Sequence, residues 1–89
     1  MVVPPARLTL LSKPGCHLCD AARDVVASVL AELPAEASVQ LEELSILDDP
    51  ALNERYWDEI PVVLIDGAVH NIWQIDPVRL RRALLEATA

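Results

Sequence analysis

The residues best equipped for chemistry are Cys16 and Cys19, the chain's two cysteines, set three positions apart in Cys16-His17-Leu18-Cys19. A thiolate, not a thiol, attacks disulfides and binds metals, so reactivity near neutral pH requires a pKa below the usual value of about 8.5. The start of a helix provides that shift, because its free backbone N–H groups and aligned peptide dipoles favour negative charge. On such a helix Cys19 stands one turn from Cys16 on the same side, close enough to resolve a mixed disulfide formed there. Lys13, and His17 when protonated, would stabilise a thiolate; Asp20 would oppose it if aimed at the sulfur, and otherwise favours the helix start. The pair fits disulfide exchange, half of a zinc site, or two inert buried thiols. A tetrahedral zinc needs four ligands, usually from two such pairs, and only His17 and His70 remain as soft candidates. Haem attachment needs His directly after the second cysteine, where Asp20 stands.

The elements around the pair follow from periodicity and punctuation. Arg7-Leu8-Thr9-Leu10-Leu11 is an apolar run closed by Ser12-Lys13-Pro14-Gly15, a strand stopping at a loop. Leu18, Ala22, Val25, Val26, Val29 and Leu33 then recur at helical steps until Pro34, which places Cys16 at the joint of strand and helix. Residues 38–46 read as a second strand whose alternation fails at Glu43, as an edge strand or a bulge tolerates. Asp48-Asp49-Pro50 opens a short helix through Leu52 towards Tyr56, with an Asp cap and Pro in the first turn. Ile60-Pro61-Val62-Val63-Leu64-Ile65 is the most apolar run, and Asp66-Gly67 joins it to residues 68–73 as a hairpin. Asp76-Pro77 opens a last helix with an apolar stripe of Val78, Leu80, Leu84 and Ala87. The order is β-α-β-α-β-β-α. The crossover favours a parallel first pair of strands, and the hairpin adds an antiparallel one.

Composition narrows the functional classes. An 89-residue chain reads as one domain, residues 1–89, and its 53% apolar content, mostly aliphatic, suits strands covered by helices. A net charge of −7, with seven Lys and Arg against fourteen Asp and Glu, argues against a nucleic-acid partner. Arg79, Arg81 and Arg82 are the one basic cluster, expected in the last turns of the final helix where cations complement its dipole. Trp57 and Trp73 are expected to be packing groups, Trp57 with a second option of flanking a substrate groove, and His70 to lie on a strand face without a chemical role. No run approaches the length of a membrane helix, and Met1-Val2-Val3-Pro4-Pro5-Ala6-Arg7 does not read as a signal peptide. A cytoplasmic monomer is expected, with no membrane partner, and in that reducing compartment the cysteine pair is a redox or metal group rather than a staple.

Lys13-Pro14-Gly15-Cys16-His17-Leu18-Cys19 after the first strand, with Ile60-Pro61 opening the third, resembles a glutaredoxin-like protein of the thioredoxin superfamily over almost the whole chain. The resemblance implies an α/β thioredoxin-like fold: a four-stranded mixed sheet ordered second, first, third, fourth strand, with helices on both faces. It implies that Cys16 is the exposed nucleophile and Cys19 the resolving thiol, and that the Ile60-Pro61 bond is cis and faces them. It further implies that the backbone of Ile60, beside Pro61, pairs with substrate, and that Lys13 contacts glutathione and the thiolate. Three features depart from the family pattern. Glu59-Ile60-Pro61 stands for Thr-Val-Pro, and His17-Leu18 carries no aromatic residue. Residues 67–76 lack a Gly-Gly pair, leaving Asp76 alone to hold glutathione. The expected function is thiol–disulfide oxidoreduction on a protein disulfide or small thiol, with no bound cofactor and with glutathione or a reductase restoring the dithiol. The alternatives are a non-enzymatic binding module on the same fold and a small zinc protein.

Overall fold

The computed structural model describes residues 4–89. Met1-Val2-Val3, which belong to the N-terminal reading and to the span 1–89, lie outside the described residues. The elements run β1 (Ala6–Ser12), α1 (His17–Glu32), β2 (Val39–Ser45), a 3-10 turn (Ile46–Asp48), α2 (Pro50–Tyr56), β3 (Val62–Ile65), β4 (Ala68–Ile72) and α3 (Pro77–Ala87). The four strands form one mixed sheet ordered β2-β1-β3-β4. β1 pairs parallel with β2 and antiparallel with β3, and β3 pairs antiparallel with β4. The α/β fold and strand order are those expected of a thioredoxin-like domain.

Alternation along the central strands explains why both sheet faces are covered. Leu8 and Leu10 of β1 and Val63 of β3 pack with Ala22, Val26 and Val29 of α1 and Leu80 and Leu84 of α3. Leu11 of β1 and Val62 of β3 turn the other way, to Ile46, Leu52 and Tyr56 on the α2 side. Cys19 belongs to this second cluster, with Cys16 against its edge.

Local chemistry sets the element ends. Asp49 caps α2 by accepting from Ala51 N–H and Asp76 caps α3 by accepting from Val78 and Arg79 N–H, with Pro50 and Pro77 immediately after them. The β3–β4 turn places Asp66 at φ 50° and Gly67 at φ 84°, the left-handed geometry that an Asp-Gly hairpin turn demands. Asp66 also ties the hairpin to β1: its N–H donates to Arg7 O at 2.8 Å, and its carboxylate accepts from Arg7 N–H at 2.9 Å.

Several details differ from the sequence reading. β2 is an edge strand, one of the two options the break at Glu43 left open, but it carries no bulge: its register is unbroken, and the irregularity falls between Val63 and Leu64, opposite β4. Ile46 leaves the strand because Ser45 caps the 3-10 turn, its hydroxyl accepting from Leu47 N–H. The arginine cluster is not at the C-terminal end of α3. With Asp76 as the cap, Arg79 is in the first turn, and the helix continues past Arg82 to Ala87. Arg79 instead donates to His70 O at 3.4 Å. Leu18 and Val78, assigned to the apolar stripes of their helices, are exposed, each in the first turn of its helix.

Candidate active site

Cys16 is the N-cap of the sixteen-residue helix α1, in extended backbone geometry. The loop Lys13-Pro14-Gly15 reaches that position from β1, with Gly15 at φ 75°, a conformation that costs glycine little. Cys16 Sγ accepts the backbone N–H of Cys19 at 3.1 Å, so the sulfur takes the place of a capping oxygen on an otherwise unsatisfied donor. The two cysteines form a disulfide, with Cα atoms 5.1 Å apart. Their environments differ sharply: Cys19 is 0% exposed, whereas Cys16 is partly open to solvent. A partly exposed cysteine at a helix N-terminus beside a buried one is an arrangement that can attack from outside and resolve from within.

The Ile60-Pro61 peptide bond is cis. Pro61 is fully buried, and the Ile60 side chain shares a cluster with Cys19. Among the described residues, the backbone of Ile60 makes no hydrogen bond within the chain. On the next residue, Pro61 O accepts from Trp73 N–H at 2.8 Å.

Trp57 and Trp73 are not packing groups. They are 63% and 53% exposed, because each lies just beyond the end of its element, α2 and β4 respectively. Trp73 adopts φ 62°, and its indole N–H donates to Asp58 O at 3.1 Å, which anchors the ring above the surface. Together with Leu18, Ala21, Val25, Gln74 and Ile75 it lines a groove of about 300 Å³ beside the Cys-His-Leu-Cys segment. Sequence reasoning missed this role, for which the only signal was a large ring just after a strand.

On the opposite side of the cysteine loop lies a charged network that periodicity only hinted at. Glu43, where the β2 alternation breaks, receives Arg23 through Nε at 2.9 Å and through a second guanidinium nitrogen at 2.7 Å. The buried Ser12 donates its hydroxyl to the same carboxylate at 2.8 Å. Arg23 also donates to Asp20 at 2.8 Å. The Arg23 hydrogen bonds hold the Glu43 carboxyl below its ordinary value, with Ser12 adding to the effect and partial burial opposing it. Arg23 is itself raised, first by its bond to Glu43 and then by Asp20. These residues, with Lys13 and Gly15, surround a second hollow of about 340 Å³. The sequence left the direction of Asp20 open; its carboxylate is bound to Arg23.

Asp76, the remaining site candidate, spends Oδ1 on the N–H groups of Val78 and Arg79 at 2.9 and 3.2 Å. Among the described residues no cluster of three or more His, Cys, Asp or Glu is arranged to hold a metal ion. His70 stays apart from the cysteines on β4, and its Nε2 is buried without a hydrogen-bond partner among the described residues. Burial, and then the charge of Arg79, hold its pKa below the ordinary value, with Asp76 acting the other way.

A sheet of this order with a redox-type cysteine pair at the first strand–helix joint defines a thioredoxin-like protein. A mutant thioredoxin from Halobacterium salinarum shares that fold, with a TM-score of 0.69 at 16% identity over 94% of this chain and 75% of its own. The chain belongs to the Glutaredoxin-like domain (DUF836) family, which matches residues 7–85. Two solved structures are more similar in sequence. Protein XcR50 from X. campestris is 33% identical with a TM-score of 0.69, covering 92% of this chain and 99% of that one. Protein Ne2328 from Nitrosomonas europaea is 25% identical with a TM-score of 0.68, covering 93% and 95%. The uncharacterized protein Rv0508 of Mycobacterium tuberculosis is 29% identical over 83 residues, 92% of this chain and 86% of that protein.

Proposed function

We propose that this chain is a cytoplasmic thiol–disulfide oxidoreductase in which Cys16 is the nucleophile and Cys19 the resolving thiol. The observation that carries the reading is the placement of a partly exposed Cys16 at the α1 N-terminus, its Sγ bonded to a backbone N–H, with Cys19 fully buried. In the reduced protein the Cys16 thiolate attacks one sulfur of a substrate disulfide. The S–S bond breaks, the departing thiolate takes a proton from solvent, and a mixed disulfide remains on Cys16. Cys19, losing its proton, attacks Cys16 Sγ and expels the second substrate thiolate. The products are two substrate thiols and the Cys16–Cys19 disulfide seen in the structure. An external thiol reverses the balance and restores the dithiol. Asp20, bound by Arg23, and the exposed Lys13 set the charge around the loop that carries the thiolate.

The pH dependence of alkylation in the reduced protein, read at each cysteine by mass spectrometry, tests the reading. Cys16 is expected to react with a midpoint below about 7.5, and Cys19 more slowly. Midpoints near the reference of about 8.5 for both cysteines would leave a binding module on a redox fold. Protection of both thiols until a chelator is added would point to zinc.

A further inference from the structure

The groove beside Cys16 and the start of α3 together bear on which disulfides the site takes, given the oxidoreductase reading. Glutathione presents carboxylates, and a carboxylate is seated most readily on free N–H groups at a helix N-terminus or on a cation. At the start of α3 every such donor is spent. Asp76 N–H donates to Asn71 Oδ1 at 3.0 Å, and Pro77 has no N–H to offer. The N–H groups of Val78 and Arg79 both donate to the Asp76 carboxylate, and Leu80 N–H donates to Asp76 O at 3.0 Å. The negative charge that a ligand would bring there is already present in the chain. No residue lining the groove is cationic, Gln74 being its one polar side chain, and Lys13 of the cysteine loop lines the other hollow instead.

What the groove does offer is apolar contact on a fixed frame. Leu18, Val25, Ile75 and the Trp73 ring form its walls. The residue is half-exposed yet held twice, by its backbone N–H to Pro61 O and by its indole N–H to Asp58 O. A pre-positioned aromatic loses little side-chain entropy when a ligand packs on it. The unpaired backbone of Ile60 is free to bond an extended chain. Acidic residues adjoin this surface along the chain: Asp58, whose O accepts from the Trp73 indole, and Glu59 lead into Ile60-Pro61, and Asp76 follows Ile75. The nearest α3 cation, Arg79, reaches to His70 O.

We infer that the site is shaped for a disulfide carried in a polypeptide, with a large apolar residue next to the reacting cysteine and Lys or Arg in the flanks, in preference to glutathione disulfide. The apolar residue enters the Leu18–Trp73 groove, the extended backbone pairs at Ile60, and the cationic flanks meet Asp58, Glu59 and Asp76.

Single-turnover oxidation of the reduced full chain tests this without an added reductant. Each reaction converts the Cys16/Cys19 dithiol and one substrate disulfide into the protein disulfide and two thiols. Three oxidants are compared: a short peptide disulfide with Leu beside Cys and Lys flanks, the same peptide with Glu flanks, and glutathione disulfide. Every rate constant is divided by that of the same oxidant with dithiothreitol, which has no groove, to remove intrinsic thiol reactivity. The Lys peptide is expected to react about 10-fold or more faster than either competitor at low ionic strength. Its lead over the Glu peptide should shrink as salt screens the rim charges. Trp73→Ala should slow the Lys peptide by about 10-fold, as loss of a buried aromatic anchor does. Equal normalised rates for the Lys peptide and glutathione disulfide, or for the two peptides, would overturn the inference while leaving the oxidoreductase reading intact. If no oxidant reacts faster with the parent chain than with Cys16→Ser, the oxidoreductase reading fails and the inference with it.

Discussion

Among single residues, the two cysteines differ less in identity than in what surrounds them. Cys16 gains a backbone donor and an open face from its position as the α1 cap, and Cys19 is enclosed by Leu11, Ile46, Ile60 and Val62. The adjacent Asp20 could have opposed the thiolate, but Arg23 takes up its carboxylate and that of Glu43 at once. That bidentate Arg–carboxylate geometry is the strong form of such a pair, although both partners remain open to solvent. Replacement Arg23→Gln should therefore move the Glu43 carboxyl back up towards its ordinary 4.5, since its largest lowering influence is gone. An NMR pH titration of the side-chain carboxyl carbons checks this, and a Glu43 curve identical to that of the parent would contradict the assignment. Glu43 was visible in the sequence only as a fault in an alternating pattern. Its partner Arg23, twenty residues earlier, could not be read because the pairing spans β2 and α1.

The helix starts were the most legible elements, and each is set by local chemistry. Asp49-Pro50 and Asp76-Pro77 announced α2 and α3, and Asp66-Gly67 announced the hairpin, because capping and positive φ depend on adjacent residues alone. Removing the α3 cap with Asp76→Ala should cost about 1 kcal/mol of stability, measurable by urea unfolding. A change of only a few tenths would mean that Asn71 and Pro77 hold the helix start by themselves. Less legible was which helical positions would be covered. Leu18 and Val78 fit their stripes by spacing, yet both are exposed, and the arginines of α3 proved to lie early in the helix. Periodicity assigns a face, but it does not say how far the neighbouring sheet extends beneath it.

For the molecule as a whole, two groups couple folding to pH in the same direction. His70 is held below its ordinary 6.5 chiefly by burial, so the unfolded chain takes up a proton where the folded one resists it. Its contribution is present above pH 6.5 and is lost as pH falls below that value. Glu43 is held below 4.5, chiefly by Arg23, so its contribution is present above pH 4.5 and is lost on further acidification. The urea midpoint should thus be flat from about pH 7 to 8 and decline in two stages on the acid side. His70→Gln should flatten the upper stage and Glu43→Gln the lower. A midpoint that falls equally between about pH 6.5 and 5 in the parent and in His70→Gln would remove His70 from this account.

Sequence alone determined the element order, the caps, the hairpin turn and the place of Cys16 at a strand–helix joint. Each of these depends on residues within a few positions of one another, through periodicity, φ preference or a side chain bonding its own backbone. The tertiary structure decided what depends on distance. It buried Cys19 and left Cys16 open. It brought Glu43 of β2 to Arg23 of α1 at the base of the loop. It also lifted Trp57 and Trp73 out of the core and joined Asn71 of β4 to the start of α3. Those outcomes arise where separate elements meet, because burial and hydrogen-bond partnership belong to pairs of surfaces rather than to any one stretch of chain.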